Sequence, residues 1–465
     1  MARYFILFLL VIAHRSSVIG QNVIVKGTAD SGYLSPNNSI SAYRYDDYIS
    51  YREKKLATSS LDAKGNFNLS FPATRTTSIF LMIDNAKAEM TVEPGKTYDI
   101  HFFAKDSDAV NTLSLAVPVE LEFNNSGDSE LNFLIADFSN RYETFLQDYR
   151  GMISKKDNSI FGKIDTLKTL MKKKYSAFQN PYLDNFITFQ FASLEENLAL
   201  GVKEKVFDRY LRNFPIQLDN SDYMAFFHQF YSSVTDFFMK NEKTSNEINN
   251  QQNFASLMDF FKQNKFLAND TLREMTVLKS IADYAHNPAF KSKAMLLILE
   301  QASKQCKVAE NRKAAANLYK KLNVMTTGNP APSMEFINEK EKNVSLADYT
   351  GKYVYLNFWA SWCSSCTQEM SLLPDLKKQY GGRIVFVSIS VDKNMDAMKN
   401  FLKKNSKSDW IFLYCNDYKK AKEEFNVLTV PTYYLIDPKG NVMLSPAPGP
   451  VDIEPTFNQI KKKKQ

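Results

Sequence analysis

Cysteine and histidine are scarce in this chain, at four residues each among 465. So few cysteines exclude a fold stapled by many disulfides, and so few scattered histidines leave little from which to build a metal centre. Charge of one sign is also lacking: 58 basic residues against 51 acidic ones leave +7, and Arg3 and Arg15 supply two of those charges in a segment expected to be removed. The remaining +5 is too diffuse to point to nucleic acid. Extensive disorder is excluded as well, because 44% of the residues are hydrophobic and only 23% charged, with 35 Phe and 24 Tyr raising the aromatic share. At ~150 residues per domain the length suggests about three units.

Long apolar runs are missing too. Arg3 is followed by the apolar stretch Tyr4 to Ala13 and then by Gly20 at a cleavage-like position. That stretch is about half the ~20 residues a bilayer span requires, so residues 1–20 read as an export signal rather than an anchor, with a tether the alternative if the signal is retained. No cysteine follows it, which argues against a lipid anchor. An exported protein is the expectation.

Residues 21–125 alternate apolar and polar side chains in Val23/Val25, Phe67/Leu69/Phe71, Met90/Val92 and Tyr98/Ile100/Phe102. Turn residues at 62–66 and at Pro94-Gly95 separate these runs, so an antiparallel β accessory domain is expected. From residue 126 to 328 the period becomes helical. Leu131, Leu134, Phe138, Tyr142, Phe145, Tyr149 and Met152 form one stripe; Tyr223 to Phe238 behind Ser221, and Leu272 to Ala282 behind Asp270, form two more. Aromatic stripes of this kind are read as core rather than as a peptide groove, and the runs Lys172–Lys174 and Lys461–Lys464 as solvated faces or frayed ends.

Gly328-Asn329-Pro330-Ala331-Pro332 breaks the pattern, and residues 329–465 follow a different plan. Strands are expected over 353–359 and 384–391, helices over 363–380 and 395–404, then a short strand at 410–414, a helix over 419–425 and a hairpin, 432–436 with 442–444, around Asp437-Pro438-Lys439-Gly440. Parallel strands with crossover helices and a closing hairpin give an α/β mixed sheet covered on both faces.

The chemistry sits where the first of these strands runs into its helix, at Trp362-Cys363-Ser364-Ser365-Cys366. Free N–H groups and the positive helix end favour a thiolate at Cys363, the attacking form, and Cys366 one turn on can resolve what Cys363 captures. Half of a zinc site or a static disulfide are the alternatives. Zinc would need two more soft ligands, but Cys306 and Cys415 are isolated and only His101, His228 and His286 remain after the signal, so no metal is expected.

Phe358-Trp359-Ala360-Ser361-Trp362-Cys-x-x-Cys, with Val430-Pro431-Thr432 about 65 residues later and the Asp-Pro-Lys-Gly hairpin after it, resembles the thioredoxin fold, specifically its exported TlpA/ResA branch. The resemblance covers residues 330–465. It implies a thiol-disulfide oxidoreductase with no cofactor beyond its own Cys363–Cys366 disulfide. It further implies a cis bond before Pro431 and a docking edge for substrate at Val430 and Pro431, with Trp362 packed over the site. Where cytosolic thioredoxins carry a buried Asp, this chain has Asn357; Glu369, three residues past Cys366, matches the glutamate of the ResA branch and is assigned proton exchange with Cys366. The alternative for Glu369 is a solvated carboxylate that merely suits the helix dipole. Ser364-Ser365 and Thr367 depart from the usual pattern and leave the redox poise open.

By the same resemblance the protein is expected to be a periplasmic disulfide reductase. Its partners would be client proteins, apocytochromes c among them, and a membrane electron donor or acceptor. A protein disulfide oxidase or isomerase, and a partner-binding redox sensor, are the competing functions. Cys306 with Cys415 as a second redox pair is a further one, although both are expected to be inert.

Overall fold

Alternating burial builds the front of the molecule. The computed structural model of the chain describes residues 20–34, 38–84, 86–104, 116–124, 127–198, 203–285, 287–392, 394–405, 409–427 and 429–462. The expected signal, His286 and the end of the Lys461–Lys464 tail lie outside the described residues. Among the described residues nine strands come first: β1 (Gln21–Ala29), β2 (Ser39–Tyr45), β3 (Glu53–Ser60), β4 (Asn66–Ala73), β5 (Thr77–Ile83), β6 (Ala86–Val92), β7 (Thr97–Phe102), β8 (Val117–Pro118) and β9 (Leu121–Phe123). They form two sheets, ordered β4-β1-β7-β9 and β3-β2-β5-β6-β8. Val23, Val25, Leu69, Phe71, Ile100 and Phe102 of one sheet meet Ile40, Ala42, Leu81, Ile83 and Met90 of the other.

The pairing is mostly antiparallel as expected, but β1 with β7 and β6 with β8 run parallel. The periodicity missed β2, β3 and β5. In β5 both faces are covered, so the alternation that would have marked it is gone: Ile79 and Leu81 enter the sandwich while Phe80 packs outward on Tyr43 at 5.5 Å.

The helical stripes pack as cores. Phe138 and its neighbours on Leu131–Asp148 close against Ile160–Tyr175 and Pro181–Leu198. Phe226, Phe227 and Phe230 of helix Ser221–Met239 lead a second cluster with Asp270–Asp283 and Ser292–Gln305. The N-caps fall one residue earlier than the stripes implied: Asn220 and Asn269, not Ser221 and Asp270, accept the free backbone N–H groups. Lys172–Lys174 occupy the last turn of their helix, where cations suit its negative end.

Past helix Ala309–Asn323 come β10 (Glu335–Asn338), β11 (Asn343–Ser345), β12 (Tyr353–Trp359), β13 (Ile384–Ser390), β14 (Ile411–Tyr414), β15 (Thr432–Ile436) and β16 (Val442–Leu444). Their order is β11-β10-β14-β13-β12-β15-β16, with β12, β13 and β14 parallel and β10, β15 and β16 antiparallel. The helix expected over 363–380 is two helices, Ser364–Met370 and Leu373–Tyr380. Pro374 causes the break, since its ring cannot follow an unbroken helical turn. The short polar strands β10 and β11 escaped the periodicity.

Front sandwich and helices meet across a polar seam, where Ser78 Oγ lies 2.7 Å from Tyr182 Oη and 3.1 Å from Ser221 Oγ. Asp222 stands beside it, and burial pushes its carboxyl up to about 6, only partly offset by hydrogen bonds from Ser221 and Gln190. An acid held above its ordinary ~3.9 stabilises the fold while protonated; that contribution is whole below the ordinary value and is lost as pH rises through about 6. Asp222→Asn should therefore melt close to the parent at pH 4 and at a higher temperature than the parent above pH 6, in thermal scans at the two pH values.

Candidate active site

β12 is fully buried along its last residues and ends at Trp359, in the middle of the sheet, so whatever follows it is delivered to a fixed point. The next turn is pinned by a residue the sequence reading missed. Asp392, just past β13 and 4% exposed, accepts from Ser361 N at 3.0 Å and from Ser361 Oγ at 2.8 Å, and Ser390 Oγ donates to its other oxygen at 2.7 Å. The signal for it was its position, a carboxylate beyond the C-terminal end of a buried parallel strand, where α/β sheets place their sites.

Cys363 is the N-cap of helix Ser364–Met370, and Cys363 and Cys366 are joined in a disulfide. Cys366 N–H donates to Cys363 Sγ at 3.2 Å, and Ser365 Oγ lies 3.4 Å from the same sulfur. Cys366 is fully buried and Cys363 nearly so. The Val430–Pro431 bond is cis, and the Val430 carbonyl oxygen stands 3.8 Å from Cys363 Sγ. β15 begins only at Thr432, so the backbone at Val430 and Pro431 lies outside the sheet ladder. Four of the sequence-derived residues thus meet: Cys363, Cys366, Val430 and Pro431.

Trp362, next to Cys363 in the chain, is 40% exposed and makes no ring contact among the described residues. Trp359 is core, packed on Phe401 at 4.6 Å. Asn357 keeps to the interior, accepting from Ser388 Oγ at 2.7 Å, with Trp410 Nε1 donating to that same hydroxyl at 2.8 Å. Glu369 is half-buried rather than solvated: its Oε2 lies 3.2 Å from where a Cβ on Gly449 would stand. Burial and the Glu369 charge together hold the phenols of Tyr355 and Tyr433 well above their ordinary range. Nothing local in the sequence marked those two tyrosines.

Among the described residues no group of three or more metal-ligating side chains occurs. Cys306 and Cys415 are free, sit in different cores, and burial pushes both thiols up to about 12. A reversible disulfide held at a helix start, beside an unpaired stretch of backbone, can exchange with a disulfide presented along that stretch.

Residues 327–445 match the AhpC/TSA family. The thioredoxin-like protein YneN of Bacillus subtilis is 33% identical over 113 residues, 24% of this chain and 66% of that protein. The thiol-disulfide oxidoreductase ResA of Bacillus cereus is 32% identical over 129 residues, 27% of this chain and 72% of its own length. Among solved structures, the thioredoxin domain of a thiol-disulfide oxidoreductase from Bacteroides vulgatus is 27% identical, covering 30% of this chain and 96% of that one at a TM-score of 0.27. The chain therefore spans about two thirds of the two curated relatives, which correspond to about a quarter of it.

Two outcomes follow from this geometry. Asp392→Ala strands the Ser361 donors in a buried setting and should cost ~1–3 kcal/mol in urea unfolding. In native protein reduced and alkylated at neutral pH, mass mapping should find no label on Cys306 or Cys415 until the chain is unfolded.

Proposed function

The chain belongs to the thioredoxin-like thiol-disulfide oxidoreductases of the ResA family, and from that premise we propose that it works as a disulfide reductase, with Cys363 attacking and Cys366 resolving. The observation that carries the reading is the place of the Cys363 sulfur, at a helix start, taking the Cys366 N–H and facing the Val430 carbonyl. In the reduced protein, the Cys363 thiolate attacks one sulfur of a client disulfide, releasing one client thiolate and leaving a mixed disulfide. Cys366, its proton passed to Glu369, then attacks Cys363 Sγ. The second client thiolate leaves, two electrons have moved to the client, and the Cys363–Cys366 disulfide remains for a donor to reopen.

Val430 and Pro431 hold the client strand in this scheme, and exposed Trp362 flanks it. Segment 1–20 directs export to the periplasm; clients there, apocytochromes c among them, are reduced at the expense of a membrane electron donor.

Charge supports the direction. Residues 357–371 contain no Lys, Arg or His, and their one charge is the carboxylate of Glu369. Asp392 adds a second carboxylate on the loop before Cys363. A strong oxidase depends on a reduced form stabilised by a very acidic thiol. Here backbone amides and the Ser365 hydroxyl, but no cation of that segment, favour the thiolate, while both neighbouring carboxylates oppose it.

Titration of the Cys363/Cys366 couple against a thiol buffer should give a potential near ~-270 mV, and one near ~-120 mV would turn the reading to an oxidase. Cys366→Ala should accumulate mixed disulfides through Cys363, whereas a variant that captures no client would favour a sensor.

A further inference from the structure

Tyr433 lies two residues beyond Pro431 on β15. It is 4% exposed, and its ring stacks on Tyr355 with centroids 5.3 Å apart. Both tyrosines clamp the loop that ends at Gly449: Ala447 N donates to the Tyr433 carbonyl at 2.7 Å, and Tyr355 Oη donates to the Pro448 carbonyl at 2.8 Å. The Tyr355 hydroxyl is thereby used. The Tyr433 hydroxyl is buried and finds no hydrogen-bond partner among the described residues. A buried donor left unpaired is costly, and natural proteins keep few of them.

The nearest candidate acceptor is Glu369. Its Oε2 and Tyr433 Cε2 flank one point, the position a Cβ on Gly449 would take, at 3.2 and 3.8 Å. A side chain at residue 449 would press on the carboxylate, so the missing Cβ leaves it the room it uses.

We propose that Tyr433 is a positioning residue for the redox reaction: its hydroxyl donates to the Glu369 carboxylate and keeps it charged and turned toward the proton of Cys366. The inference rests on the role given to Glu369 above. In the resolving step, Cys366 S–H gives its proton to Glu369. The Cys366 thiolate attacks Cys363 Sγ, the sulfur–sulfur bond to the client breaks, and the client thiolate leaves. That thiolate takes a proton from Glu369 or from water, which restores the carboxylate. A hydrogen bond to the charged form of an acid favours that form. Without the Tyr433 hydroxyl the charged carboxylate loses a donor, so the resolving step needs a higher pH.

The test uses the full chain, reduced and mixed with Ellman's reagent. Attack by Cys363 releases one thionitrobenzoate, and resolution by Cys366 releases the second, followed by absorbance from pH 5 to 9. Glu369→Gln should slow the second release on the order of tenfold or more at neutral pH. Tyr433→Phe should move the acid limb of the second phase to higher pH and leave the first phase in place. In the Glu369→Gln background it should change nothing further, because the two act as one unit. Gly449→Ala, which crowds the carboxylate and meets the Tyr433 ring only at ordinary contact distance, should shift the limb in the same direction. If Tyr433→Phe leaves the second phase unchanged while Glu369→Gln slows it, the positioning role fails and the role of Glu369 stands. Equal slowing by Tyr433→Phe in both backgrounds would mark a merely structural effect and also overturn it. A normal second phase in Glu369→Gln would remove the role of Glu369 and this inference together.

Discussion

Everything chemical in this molecule depends on one hydrogen bond to sulfur. Cys366 N–H points at Cys363 Sγ because Cys363 caps a helix, and that helix starts where it does because a turn anchored to Asp392 follows the central strand. A sulfur in this place meets the positive end of the helix without losing its reach to the surface. The second sulfur, that of Cys366, is held one turn away by the same helix. The Val430–Pro431 segment completes the arrangement by bringing a backbone outside the ladder to within 3.8 Å of the sulfur.

The surroundings of that sulfur run against the helix. The segment that carries the cysteines holds one carboxylate, Glu369, and no cation, and the Asp392 carboxylate grips the turn before Cys363, so the local field disfavours a negative charge on sulfur. Glu369 and Tyr433 meet at Gly449, with Tyr355 stacked on Tyr433. Their proximity makes the carboxylate more than a surface charge, because burial raises the stakes of every unpaired polar atom near it.

The sandwich and the helices make up most of the chain and hold none of the reacting atoms. Their contacts are nonetheless specific. Asp46 and Asp47 bind Asn317 at the last long helix before the redox domain, and Lys422, on that domain's helix Tyr418–Phe425, pairs with Glu53 of β3 at 3.7 Å. These polar links tie the front of the molecule to the rest without touching the sulfurs.

What the sequence determined by itself is whatever nearest neighbours decide: the two cysteines at a strand-to-helix junction, the Val430-Pro431 step, the Asp437 turn, and the helical stripes whose aromatics fill the middle cores. Each follows from spacing along the chain, since helices and turns close over three or four residues. The tertiary structure alone decided the rest. β5 lost its alternation because its outer face is covered too, with Phe80 packed on Tyr43, and only the folded chain could show Asp392 gripping Ser361, or Tyr433 and Gly449 gathered around Glu369. Those relations join segments 30 to 80 residues apart, and strand register, which no local periodicity encodes, sets which side chains meet there.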